Sequence, residues 1–249
     1  IFAGVLSDPS FLSPLASLPP MVDLNKAESA PPADNKMEQQ YYQGVFVSNE
    51  NGKPWSQQKS YVNPYRVFSL DFDPSNSLYA GVHMNDEWGI MRQNAGKKEN
   101  WEGVPGKWGP QYLSGFPFAL KVHANYWLFI GTTYGLFRTN IYGQLFQNLT
   151  GGGLPKDGVM ALAVTPTNVL FAGLFGGGVY KSDDLGLKWK EAGDGLPKQK
   201  ITALAGNSNN HIFAATAGMG VYRIKSSENQ WEDFSGGLAA LNVTSLCLD

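Results

Sequence analysis

The sequence is poor in charge: Asp, Glu, Lys and Arg supply 16% of its residues, against roughly 25% in an average soluble domain. With a net charge of −2 and no dense cluster of Lys and Arg, it lacks the basic footprint that nucleic acid or an anionic membrane surface requires. Cysteine is nearly absent. Cys247 is the single one, so no internal disulfide can form, and its apolar surroundings in "NVTSLCLD" predict a small buried hydrophobe. No apolar run approaches the ~18 residues of a spanning helix, and no 3.6-residue apolar period lasts long enough for a core helix. His83, His123 and His211 stand far apart, without metal-ligand spacing, which argues against a zinc or copper centre. There is no P-loop, dinucleotide fingerprint or nucleophile motif, and no cofactor is expected.

Glycine is plentiful, at 29 of 249 residues, which points to many tight turns. The chain also repeats itself. An apolar pair followed by a small pair occurs five times, at residues 1–4, 78–81, 128–131, 170–173 and 212–215. Each copy is followed by a glycine and two apolar residues, beginning at Gly44, Gly89, Gly135, Gly178 and Gly220. A polar turn and an aromatic residue come next: Trp55, Trp101, Phe146, Trp189 and Trp231, spaced by 46, 45, 43 and 42 residues. A fourth string, rich in β-branched and apolar residues, follows each aromatic at 66–72, 116–122, 159–165, 201–207 and 243–249.

Short apolar strings joined by Gly, Asn, Asp and Pro turns predict hairpin meanders and an all-β fold. A four-stranded unit of this length repeated in tandem is the signature of a β-propeller blade, because one small sheet buries its two faces only when neighbours stack on it. The reading is therefore one domain over residues 1–249, a five-bladed β-propeller with four antiparallel strands per blade. The order of strings makes 243–249 the innermost strand of the blade begun by the N-terminus, which would close the ring and remove open sheet edges.

Residues 182–189, "SDDLGLKW", raise the possibility of an acidic site. Ser182, Asp184, Gly186 and Trp189 match the Asp-box, or BNR repeat, whose pattern is Ser-x-Asp-x-Gly-x-Thr-Trp. Ser48, Gly52 and Trp55 fit it more loosely, as does the stretch from Thr139 to Phe146. At this level of repeat the chain resembles sortilin-type receptors, sialidases, xyloglucan-cleaving hydrolases and photosystem assembly factors. The resemblance implies that the box is the hairpin between the third and fourth strands, its acid bonded to its own turn and its aromatic wedged between blades. The chemistry agrees: Asp and Ser cap backbone amides in turns, and two acids fall short of the six to eight oxygens calcium takes.

A sialidase would need three converging arginines. Arg92, Arg138 and Arg223, with Lys181, occupy one position in different units and cannot converge. A glycosidase would need carboxylates near inner strands; Asp71, Asp73 and Asp249 are candidates, although Asp73-Pro74 is also a common turn. The largest departure from the repeat is the insertion at 6–43, whose first part, with Phe11, Leu12, Leu15 and Met21, is apolar and proline-rich. On the same face the loops bring Tyr61, Tyr65, Asp86, Glu87, Trp88, Trp108 and Tyr112. An aromatic surface with few charges suits a protein interface or sugar stacking.

The expected function is a non-enzymatic binding or assembly module that docks a partner protein, or a larger complex, through this face. A lectin-like, glycan-binding propeller is the alternative, and a glycoside hydrolase a further one. The chain begins at Ile1 rather than Met, which fits a removed leader and an extracytoplasmic or secreted location. Two sequons, at Asn148 and Asn242, would permit glycosylation in a secretory route.

Overall fold

The computed structural model describes residues 2–5, 44–48, 55–57, 66–84, 87–96, 101–104 and 115–248. Among them there is no helix; nineteen strands form five antiparallel sheets. Sheet one contains β1 (Phe2–Val5), β2 (Gly44–Ser48) and β3 (Trp55–Gln57). Sheet two follows with β4 (Arg66–Phe72), β5 (Leu78–Met84), β6 (Glu87–Gln93) and β7 (Trp101–Gly103). Sheet three holds β8 (Pro117–Val122), β9 (Trp127–Thr132), β10 (Gly135–Asn140) and β11 (Phe146–Asn148). Sheet four holds β12 (Val159–Val164), β13 (Leu170–Leu174), β14 (Val179–Ser182) and β15 (Lys190–Glu191). Sheet five is β16 (Ile201–Gly206), β17 (His211–Thr216), β18 (Val221–Lys225) and β19 (Glu232–Asp233).

Four of the sheets thus have the four strands read from the repeat, and the first has three. Residues 243–248, expected as the inner strand of sheet one, form no strand. Cys247, expected to be buried with them, is exposed. Outside a strand, the alternation that would turn its side chain inward is not expressed.

The sheets stand side by side in chain order, with inner strand against inner strand: β4 packs on β8, β8 on β12, and β12 on β16. A sheet with two apolar faces needs a neighbour on each, and the apolar second strands supply that contact. Tyr79, Phe129 and Phe171 are fully buried between sheets, each worth on the order of 2 kcal/mol of apolar burial. Close approach also requires glycine: a Cβ on Gly173 would lie 2.4 Å from Ile201 Cγ2 in the next sheet.

Each inner strand carries a register shift at the same place, between Val67 and Ser69, Pro117 and Ala119, Val159 and Ala161, and Ile201 and Ala203. A bulge bends its strand and turns a side chain out of the alternating pattern. The extra residues, Phe68, Phe118, Met160 and Thr202, are all half-buried.

The turns from first to second strand are equally regular. Asp73 Oδ1 accepts from the amides of Ser75 and Ser77 at 2.8 and 2.9 Å. Asn207 Oδ1 accepts from Asn209 and His211 at 3.0 Å each. Three of these turns end on an asparagine with positive φ, Asn76, Asn168 and Asn210, the residue type that best tolerates that conformation after glycine. In sheet three the place is taken by Tyr126, at φ 64°.

Candidate functional site

Antiparallel order puts the turns between second and third strands, and the loops entering each inner strand, on one face. The turns between first and second strands lie on the other. Val5 pairs with Gly44, so residues 6–43 leave and re-enter on the first of these faces.

Here the structure gathers an aromatic cluster across sheets two and three. Trp88 meets Phe116 at 4.2 Å between ring centroids and Phe68 at 6.2 Å. Phe68 contacts Phe116 at 5.3 Å and Phe118 at 5.9 Å, and His83 stacks on Trp88 at 4.1 Å. The pairing of His83 opposite Trp88 in β5 and β6 sets that stack, and the bulges at Phe68 and Phe118 turn those rings toward each other. All five side chains are half-buried. Of the residues expected at a binding face, Trp88 is at the centre of this cluster and Glu87 begins β6. Phe68, Phe116 and Phe118 are not legible as site residues from the sequence, because alternation alone places Phe68 and Phe118 in a core and only the bulges redirect them.

Sheets three, four and five each hold one large apolar residue at the tip of the turn between second and third strands. Tyr134 is 68% exposed, Phe175 57% and Met219 44%. The turns beneath them are locked. Buried Thr132 donates its hydroxyl to the Gly135 carbonyl and accepts from the Tyr134 amide, at 3.1 and 3.2 Å. Thr216 does the same with Gly220 and Met219, at 2.9 and 3.1 Å. In sheet four Asp157 accepts from the amides of Gly158 and Gly176, at 2.7 Å each. Lys200 lies 5.0 Å over the Phe175 ring, and burial lowers its pKa.

Phe11, Leu12, Leu15, Met21, Gly52, Tyr61, Tyr65, Asp86, Trp108 and Tyr112 lie outside the described residues, as does Asp249. Ser48 and Trp55 are paired across β2 and β3.

The "SDDLGLKW" stretch is a tight hairpin whose own side chains cap its turn. Asp184 Oδ1 accepts from the Ser182 hydroxyl at 2.9 Å and the Lys188 amide at 2.8 Å. Ser182 Oγ accepts from the Gly186 amide at 2.9 Å, and the Trp189 indole donates to the Gly186 carbonyl at 2.8 Å. Leu185 and Gly186 both have positive φ. Desolvation works against the Asp184 carboxylate, but the bonds from Lys188, Ser182 and Leu187 outweigh it and hold its pKa below the ordinary value. Trp189 is 6% exposed, wedged in a core with Phe129 and Leu149 of the preceding sheet.

On the opposite face the turns between first and second strands surround a cavity of about 430 Å³, lined by Phe72, Pro74, Thr165, Asn168 and Asn207 among others. Asp73, which lines it, and Asp71, two residues earlier in β4, are both committed. Asp71 holds Lys121 at 2.9 Å and the Val122 amide at 2.6 Å. Asp73, besides its turn, accepts from the Tyr79 hydroxyl at 3.3 Å. Among the described residues no group of three or more His, Cys, Asp or Glu could hold a metal ion, and no helix is long and apolar enough to cross a membrane.

No family model and no curated protein matches the chain. Solved structures do. It is similar to the GH74 enzyme of Niastella koreensis, with a TM-score of 0.66 at 16% identity, over 79% of this chain and 35% of that one. It is similar to YCF48 bound to D1 peptide, at 0.55 and 14% identity, over 77% and 60%. Virginiamycin B lyase from Staphylococcus aureus gives 0.55 at 10% identity, over 70% and 56%. The chain therefore spans about a third of the GH74 enzyme's length. What these likenesses define is the fold, an all-β, propeller-like arrangement of four-stranded sheets.

Proposed function

We propose that this chain is a non-enzymatic binding module, a five-bladed Asp-box propeller that docks a partner protein through the face from which residues 6–43 emerge. The observation that carries this reading is the repetition of one exposed apolar tip, Tyr134, Phe175 and Met219, on turns already locked by hydrogen bonds. Together with the Trp88 and Phe116 cluster, they form a preorganised apolar face, and preorganised large side chains are what concentrate binding energy at interfaces. The bound peptide of YCF48 shows that a propeller of similar fold can serve such a purpose.

A lectin-like reading draws support from the same aromatic rings, which can stack on sugars, and the GH74 likeness keeps a hydrolase in view. Against hydrolysis stands the engagement of Asp71 and Asp73, which leaves neither as a spaced acid and base. Replacing residues 6–43 by a short Gly-Ser linker, and measuring co-purifying protein from the native source by mass spectrometry, tests the proposal. Lost association with an unchanged fold is expected; unchanged association overturns it. Glycan-array binding or turnover of aryl-glycosides and polysaccharides would select the second or third reading.

A further inference from the structure

Three lysines flank one turn of the face described above. The second-to-third turn of sheet four, residues 174–178, is seated between two loops: the Phe175 amide donates to the Gly158 carbonyl at 2.8 Å, and the Gly176 amide to Asp157 Oδ2 at 2.7 Å. On its other side lies the loop entering β16, where a Cβ on Gly177 would meet Gln199 N at 3.0 Å and the Lys198 carbonyl carbon at 3.1 Å. Lys156 and Lys198 hold the same place in the strings "GLPKDG" and "GLPKQK" of these two loops. Both are exposed.

Lys200 differs from its counterpart. In the loop entering β16 it stands where the loop entering β12 has Gly158, and its side chain crosses to the neighbouring sheet, placing the ammonium 5.0 Å over the Phe175 ring. Its backbone is fixed, because the Ala217 amide donates to its carbonyl at 3.0 Å. The residue is half-buried, and among the described residues no carboxylate lies within ion-pair distance of it. Burial lowers its pKa with no acid opposing the shift. An aromatic face offsets part of the cost of removing a cation from water, and an anion would offset more.

The acids of these loops are engaged elsewhere. Asp157 uses both oxygens on the amides of Gly158 and Gly176, at 2.7 Å each. Asp194 sits at the junction with the next hairpin, its amide donating to the Asn229 carbonyl and its carbonyl accepting from the Trp231 amide, at 2.8 Å each. A chain of net charge −2 thus gathers three lysines without ion pairs around an aromatic tip that is 57% exposed.

We propose that this patch recognises an acidic peptide segment of a partner protein, whose aspartate or glutamate carboxylates meet Lys156, Lys198 and Lys200 while an adjacent apolar side chain packs on Phe175. The inference rests on the binding-face reading above and names the chemistry of the partner. Charge complementarity sets encounter rate and specificity, and the ring supplies the apolar contact. A nucleic acid would need a longer basic track, whereas the 19 basic residues of this chain are matched by 21 acidic ones.

Selecting a random peptide library displayed on phage against the immobilised full chain tests the proposal. The expected result is enrichment of Asp and Glu beside aromatic or aliphatic residues. Synthetic copies of the selected peptides should bind the triple variant Lys156→Gln, Lys198→Gln, Lys200→Gln roughly tenfold or more weakly, and should bind the native chain less well as salt is raised. Lys200→Arg, which keeps the charge, should retain binding, and the melting temperatures of both variants should stay close to the native one. An absence of acidic enrichment, undiminished affinity in the triple variant, or preferential capture of an oligothymidylate overturns the proposal. Peptides that bind the triple lysine variant normally but lose Tyr134→Ser with Phe175→Ser would overturn the charge recognition and leave the docking face standing. Unchanged native association after the 6–43 replacement would overturn the docking reading and leave the peptide result intact, so the two failures are distinct.

Discussion

Arg138 and Leu185 belong to neighbouring sheets, and the guanidinium Nη1 of the first donates to the carbonyl of the second at 2.6 Å. Leu185 is the positive-φ residue inside the Ser182–Trp189 turn, so an arginine from one sheet holds the hairpin of the next. Gln147 fixes the rest of the guanidinium through Nε and Nη2, at 3.0 and 2.8 Å, and Trp127 lies under it at 4.6 Å. Burial lowers the pKa of Arg138 and the Asp184 charge opposes that shift, yet the group stays charged, since arginine starts so high.

Arg138→Met is expected to destabilise the fold by about 2 kcal/mol, the scale of a buried charged hydrogen bond. Arg138→Lys, which cannot reach Gln147 and Leu185 together, falls between. Urea denaturation read by tryptophan fluorescence measures both.

Tyr126 occupies a left-handed position that Asn76, Asn168 and Asn210 hold in the other sheets, and its side chain is 42% exposed. Little packing is lost by replacing it. Tyr126→Asn should therefore stabilise the protein by roughly 0.5–1 kcal/mol, seen as a raised Tm in calorimetry.

Asp184 gives the hairpin an acid limit. Its folded pKa is depressed, so its contribution is present above the unfolded value of about 4 and is lost as pH falls through the folded value. Stability of the native chain should drop on acidification below about pH 4, and Asp184→Asn should flatten that part of the profile while lowering stability at neutral pH. Denaturation midpoints across the acid range decide it.

Tyr79 sets an alkaline limit. Burial first, then the charge of Asp73, pushes its pKa up to about 12. A phenol whose folded pKa is raised keeps its full contribution below the unfolded value of about 10, and the unfolded state gains as pH rises beyond it. Stability should fall from about pH 10 upward, and less steeply in Tyr79→Phe; phenolate absorbance should show a late-titrating tyrosine that Tyr79→Phe removes.

The exposed tips separate binding from folding. Tyr134→Ser with Phe175→Ser should leave the melting temperature nearly unchanged, because both rings stand mostly in solvent, while partner association weakens by about tenfold or more if they act as interface anchors. A pull-down with the purified double variant compares the two; equal capture would remove these tips from the interface.

The sheet architecture was legible because period-two strings, glycines and turn residues recur at fixed spacing, and each recurrence is a local property of the chain. The hairpin at Asp184 was legible for the same reason: Ser182, Asp184, Gly186 and Trp189 are all within hydrogen-bonding range of one another in sequence. The four basic positions were visible too, but their destination was not, since Arg92, Arg138 and Lys181 bond residues more than forty positions onward.

The sequence by itself determined the strand strings, the turns and the period, because local propensity and alternation need no partner to be expressed. Only the tertiary structure decided which rings meet. Bulges in β4 and β8 turned Phe68 and Phe118 out of the alternating pattern and set them with Trp88 and Phe116, a meeting that depends on how two separate sheets pack. It also decided that Cys247, apolar in context, lies exposed, since burial requires a neighbouring surface and the string "NVTSLCLD" carries only its own side of that contact.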